Sequence, residues 1–111
     1  MQIQGVKEND IFFFSIMGRL DTQTYTDAEK QMMAWIEAGN TKMIGDLSDL
    51  EFISSAGLRV LLYAAKTLNQ QGGKMVLFGV NDQVNEVFEV TGISNVIDIT
   101  TSKDGAFSLF N

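Results

Sequence analysis

The sequence predicts one α/β domain over residues 1–111, built on a mixed, mostly parallel sheet of four to five strands with about four helices. Three observations carry this expectation. Short apolar runs alternate with segments whose apolar residues recur every three to four positions. The first two apolar runs are separated only by Glu8-Asn9-Asp10, a turn signal too short for anything but an antiparallel hairpin. No proline, repeat or low-complexity stretch divides the chain. After the hairpin, the alternation of strands and helices implies parallel strands joined by right-handed crossovers.

Taken in order, Ile3 to Lys7 and Ile11 to Met17 read as the hairpin strands, the second nearly all apolar as in a strand covered by neighbours. Gly18-Arg19-Leu20-Asp21 then leads into a helix. Thr24-x-x-Asp27 and Thr26-x-x-Glu29 both resemble capping boxes, so its start is open by a turn. Tyr25, Ala28, Met32, Trp35 and Ile36 give its apolar spacing, and Gly39-Asn40 stops it. Thr41 to Leu47 is a third strand and Ser48 to Ile53 a loop. A central helix follows from about Ser55 to Gln71, with Leu58, Leu61, Leu62, Ala65 and Leu68 in one stripe. Gly72-Gly73 ends it, and Lys74 to Val80 is a buried strand. Asn81 caps a short helix that buries Val84, Val87 and Phe88 and stops at Gly92. Asn95 to Thr100 is a last short strand. Ser102 caps a final helix with Ala106, Phe107 and Phe110 inward. The methionines Met32, Met33, Met43 and Met75 read as core filler, and Gly72, Gly73 and Gly79 as turn residues that match no nucleotide-binding fingerprint.

Composition narrows the function. With no cysteine, disulfides and thiolate metal sites are excluded. With no histidine, a Ser-His-Asp hydrolase is excluded as well. Eight basic against fourteen acidic residues give a net charge of −6, which disfavours nucleic acid or an anionic membrane as partner. No apolar run is long enough to span a bilayer, and the first residues lack the basic start and apolar stretch of a secretory signal. A cytoplasmic binding or signalling domain without a cofactor, rather than an enzyme, is the expectation.

The segment from Asp46 to Leu62 holds the candidate site: a strand end, a polar loop, then Ser54 and Ser55 at the mouth of the central helix. Unpaired N–H groups and partial positive charge at a helix N-terminus favour a phosphate there, and Ala56 and Gly57 leave room around it. A serine at that place also caps helices without further role, and the residues alone leave both readings open. Asp21 follows the second strand at a βα junction, either as part of the site or as a cap of the first helix. Asp46 ends the third strand and reads as a carboxylate held by loop N–H groups. It also raises an aspartyl-phosphate receiver as an alternative, although the acids Glu8, Asp10 and Asp21 are wrongly arranged for that metal site and the late strand offers no lysine. Arg59 and Tyr63, one turn apart and off the apolar stripe, suit a protein contact; Lys66 and Thr67 read as an ordinary solvated face.

Gly18-Arg19-Leu20-Asp21, the run from Asp46 to Leu58, Gly72-Gly73-Lys74-Met75-Val76-Leu77, and Val87-Phe88-Glu89-Val90-Thr91-Gly92-Ile93 together resemble the STAS domain. More narrowly, they resemble the stand-alone bacterial anti-sigma factor antagonists. The resemblance spans essentially the whole chain and implies a phosphorylated serine two residues before the glycine that opens the central helix, which here is Ser55 before Gly57. Where the family often has Asp-Ser-Ser-Gly or Asp-Ser-Thr-Gly, this chain has Ser54 in the aspartate position and Ala56 in that of the second hydroxyl, making Ser54 a secondary candidate. The resemblance further implies partner switching. The unmodified domain binds an anti-sigma factor that is also a serine kinase, phosphorylation releases it, and a metal-dependent serine phosphatase resets it. Asp21, Ser54, Ser55, Ala56, Gly57, Arg59 and Tyr63 are the expected partner-binding residues. A STAS scaffold of a stress-sensing assembly, or a regulatory subunit of a transporter, is the alternative on the same fold.

Overall fold

The computed structural model describes residues 1–110. Strands β1 (Gln2–Glu8) and β2 (Ile11–Leu20) form the antiparallel hairpin, with Asn9 taking the left-handed conformation (φ 57°) that the turn requires. Helix α1 (Tyr25–Glu37), strands β3 (Lys42–Asp46) and β4 (Leu50–Ile53), helix α2 (Ser55–Gln70), strand β5 (Lys74–Phe78), helix α3 (Asp82–Thr91), strand β6 (Asp98–Thr100) and helix α4 (Lys103–Ser108) follow. The sheet runs β1-β2-β3-β5-β6, parallel beyond the hairpin, and β4 pairs separately with the far half of β2. This is the mixed α/β architecture the sequence predicts.

The sheet has six strands against the four to five expected, and the remaining differences lie at element boundaries. The strand β4 occupies a segment that reads as loop, because four residues flanked by Asp49 and Ser54 are too short to display a period. Its partner is the last part of β2, which continues through Gly18-Arg19-Leu20 rather than leaving the sheet at Met17. Gly18 sits at φ 89° where the register shifts, so the strand kinks there and exchanges β3 for β4 as its neighbour. Asn95 does not begin a strand: Ile93–Asn95 form a single 3₁₀ turn and β6 is confined to three residues. The strand β5 likewise stops at Phe78, before Gly79 at φ 83°.

Alternation along the strands divides the core. Phe12, Phe14 and Ile16 of β2, Met43 of β3, and Met75 and Leu77 of β5 face α1 and α2, meeting Ala28, Met32 and Ile36 from one helix and Leu58, Leu61, Ala65 and Leu68 from the other. Trp35 stacks beside Phe12 and Phe14, with ring centroids 4.7 and 6.0 Å apart. Val84 and Phe88 of α3 complete this core, while Leu62 is only half-buried at its margin. On the other sheet face Ile11, Ile44 and Val76 pack against Ala106 of α4, with Phe110 half-buried beside them. Phe107 points outward and is 45% exposed, contrary to the inward place its spacing predicts, because a six-residue helix has only one narrow buried stripe.

Candidate functional site

The parallel ends of β2 and β4 place two loops side by side. Leu20 pairs with Ile53, and the Leu20 carbonyl accepts the Ser54 N–H at 2.9 Å. From there the chain turns directly into α2. Ser54 is extended (φ −94°, ψ 174°) and its hydroxyl oxygen accepts the Gly57 N–H at 3.2 Å, the standard geometry of an N-cap. Ser55 is the first helical residue, exposed, and among the described residues its hydroxyl makes no hydrogen bond. The two serines therefore divide the roles that the sequence left undivided: Ser54 caps and Ser55 is free.

Gly57 is fixed by contact rather than by backbone angle. A Cβ there would lie 2.6 Å from the Leu20 carbonyl oxygen and 2.7 Å from Leu20 Cγ. The first turn of α2 can lie against the end of β2 only because this side chain is missing. Ala56 is buried as well, at 6% exposure. Ala56 and Gly57, both buried, thus position the serine by packing the first turn of α2 against the end of β2.

The first turn of α2 carries no acidic residue, whereas α1, α3 and α4 each have one (Asp27, Asp82 and Asp104). Its partial positive charge is left without a carboxylate from its own helix. Along the helix, Ser55, Arg59 and Tyr63 follow at four-residue steps and are all exposed, Tyr63 at 55%. Lys66 is exposed farther along, and the Thr67 hydroxyl donates to the Tyr63 carbonyl at 2.8 Å.

Asp21 organises the neighbouring loop. One carboxylate oxygen accepts the Gln23 N–H at 3.0 Å and the Thr24 hydroxyl at 3.2 Å, while the Asp21 carbonyl accepts the N–H groups of Thr24 and Tyr25. The Gln23 N–H above all, with help from Thr24 and Arg19, holds this carboxyl below its ordinary range despite some desolvation. Thr24 occupies the cap position of α1, but its hydroxyl donates to the Arg19 carbonyl and accepts from the Asp21 N–H instead of capping. Neither capping box suggested by the sequence forms.

Arg19 and Phe52 were not singled out in the sequence. They are register partners on β2 and β4, and the Arg19 guanidinium lies 4.3 Å from the centre of the Phe52 ring, with Nε 3.5 Å from Asp21 Oδ2. Without β4, no spacing sets these two residues opposite each other. Asp46 is elsewhere, at the end of β3, where Oδ1 accepts both the N–H and the hydroxyl of Ser48. That is the loop-holding role read from the sequence.

The STAS domain family model matches residues 2–106. The chain is a STAS domain. Its similarity to BtrV of Bordetella bronchiseptica, a protein assigned as an anti-sigma factor antagonist, is 31% identity over 99% of this chain and 95% of that one. This places it with the anti-sigma factor antagonists of the STAS family. Among solved structures, a Thermotoga maritima protein assigned to the same group superposes with a TM-score of 0.91 at 21% identity, over 96% of this chain and 92% of the other. The Bacillus cell fate determinant SpoIIAA, in its phosphorylated form, gives a TM-score of 0.75 at 18% identity, over 99% and 100% of the two chains. A receiver domain has an all-parallel sheet in the order 2-1-3-4-5; the STAS sheet, opened by an antiparallel hairpin, lacks the arrangement that the Asp46 alternative requires.

Proposed function

We propose that this STAS domain is a cytoplasmic anti-sigma factor antagonist that works by partner switching at Ser55. Unmodified, it binds an anti-sigma factor that is also a serine kinase. That kinase transfers the γ-phosphoryl group of its own ATP to Ser55 Oγ: the new O–P bond forms, the bond to the ADP leaving group breaks, and a base of the kinase takes the hydroxyl proton. A metal-dependent serine phosphatase hydrolyses the ester and restores the hydroxyl.

The observation that carries this reading is the separation of the two serines. A hydroxyl that caps its helix is already engaged with a backbone N–H, whereas the Ser55 hydroxyl is exposed and unengaged. The acid-free first turn of α2 supports it, since a phosphate there meets the helix dipole and no carboxylate of the same turn. The phosphate adds about −1.5 to −2 charge. Weakening a complex a hundred- to a thousandfold takes roughly 3 to 4 kcal/mol, within reach of repulsion and desolvation at a close contact. No refolding of the domain is needed. Arg59 and Tyr63, on the same exposed stripe, extend the docking surface along α2, and the Asp21 loop borders it.

Incubation with a candidate anti-sigma factor kinase from the same organism, followed by phosphopeptide mapping, should place the phosphate on Ser55. Modification confined to Ser54, or no modification, overturns the reading. In direct binding, Ser55→Ala should retain the unphosphorylated affinity and Ser55→Asp should lose at least about tenfold, or 1.4 kcal/mol.

A further inference from the structure

The sheet face away from α1 and α2 is unevenly covered. Helix α4 packs Ala106 against Ile11, Ile44 and Val76 and leaves the half-buried Phe13 and Phe78 at its margin. Between α4 and the hairpin lies a cavity of about 370 Å³, within the range of roughly 300 to 1,000 Å³ typical of small-molecule sites. Its floor is apolar, formed by Phe13, Ile44 and Phe78 with Val6 at the β1 side.

Charge on this face is selective. Lys42 is paired with Asp10 at 2.7 Å and Lys74 with Asp98 at 3.5 Å. Lys103, which also lines the cavity, has no carboxylate partner among the described residues; its ammonium lies 4.5 Å from the centre of the Phe13 ring. The opposite end differs. Phe13 pairs with Ile44, and Ser15 pairs with Asp46 two residues farther on, roughly 7 Å along the strands. There Ser15 and Asp46 line the cavity, with Asp46 Oδ1 already accepting from Ser48.

We propose that this cavity binds an amphipathic aromatic compound with a single anionic group. Its ring system rests on Phe13 and Phe78, its anion pairs with Lys103, and a hydrogen-bond donor at its other end meets Asp46 or Ser15. A second acid group would face the Asp46 carboxylate and is disfavoured. The site shares no residue with the Ser55 surface, so it stands independently of the partner-switching reading.

The probe is 8-anilinonaphthalene-1-sulfonate, a fluorescent aromatic monoanion that tests the aromatic floor and the Lys103 pairing (its N–H lies beside the sulfonate and does not probe the Asp46 end), titrated into the full chain, with the uncharged N-phenyl-1-naphthylamine as comparison. One saturable site per chain is expected. Lys103→Gln should weaken the anion at least about fivefold, which corresponds to roughly 1 kcal/mol, and leave the neutral compound unchanged. Lys30→Gln, the same charge loss on exposed α1, should alter neither. Ser15→Phe, which fills the cavity, should abolish both, provided its thermal melting remains cooperative; should that variant fail to fold, the surface variant Lys103→Gln still decides. Equal affinity of wild type and Lys103→Gln for the anion overturns the proposal. So does probe binding that disappears as sedimentation shows the chain dimerising, because a second copy is then the occupant.

Discussion

Ser54 contributes through one hydrogen bond, and its removal has a defined magnitude. Ser54→Ala should lower stability by about 1 kcal/mol, the usual value for an N-cap hydroxyl, whereas Ser55→Ala should change it by less than about 0.5 kcal/mol, as for an exposed surface site. Urea denaturation of the two variants checks this, and equal losses would mean that the cap is shared. Gly57→Ala is more severe, because the new methyl group meets a backbone oxygen that cannot swing aside; a loss of about 1 to 3 kcal/mol is expected. Asp21 adds a pH dependence. Its folded pKa lies below the ordinary value of 3.8, so the stabilisation it gives is complete above that value and is lost as pH falls through the folded pKa. Asp21→Asn should therefore melt earlier than wild type at pH 6, with the two curves converging toward pH 2.

At the scale of elements, β2 and β4 together define the site, and here the sequence is least informative. Helix α2 was legible from end to end, because a 16-residue amphipathic helix repeats its signal several times and its glycine stop is unambiguous. Asn81 and Gly92 bounded α3 equally well, with Asn81 Oδ1 accepting the Val84 N–H and Gly92 left-handed at φ 71°. Strand β4 carries four residues and one strand partner, so pairing alone distinguishes it from a loop. The same gap hid Arg19 and Phe52. Asp21 and Ser55 were legible because each stands at a junction that local chemistry marks, but which serine caps depends on where the helix begins, a boundary uncertain by one residue in any sequence. A double-mutant cycle with Arg19→Ala and Phe52→Ala should give a coupling of about 0.5 to 1 kcal/mol, as expected for an exposed cation–π pair. A coupling of zero would mean that the two residues are neighbours without interacting.

The molecule as a whole is one sheet with its main core on the face of α1 and α2 and a thinner layer under α4. Ser55 lies at the rim of the thick layer, outside both cores. A phosphate there burdens no packed side chain, and the domain should keep its fold in either state. Melting temperatures of the phosphorylated and unmodified forms should agree within about 5 °C, equivalent to roughly 1 kcal/mol for a domain near this size. A larger gap would mean that the modification acts by loosening the domain instead of altering its surface.

The Leu20 peptide has a consequence for substrate recognition. Its carbonyl receives the Ser54 N–H, and the same oxygen is the atom against which Gly57 is pressed. The serine and the Asp21 loop, more than thirty positions apart in the chain, are thus fastened to one peptide group. On the proposed function, an enzyme modifying Ser55 would meet a conformational epitope, assembled only in the folded chain, rather than a linear consensus. A synthetic peptide covering residues 48–62 should be a poor substrate for the proposed kinase compared with the intact domain, and comparison of the two initial rates would measure how much of the recognition resides in shape.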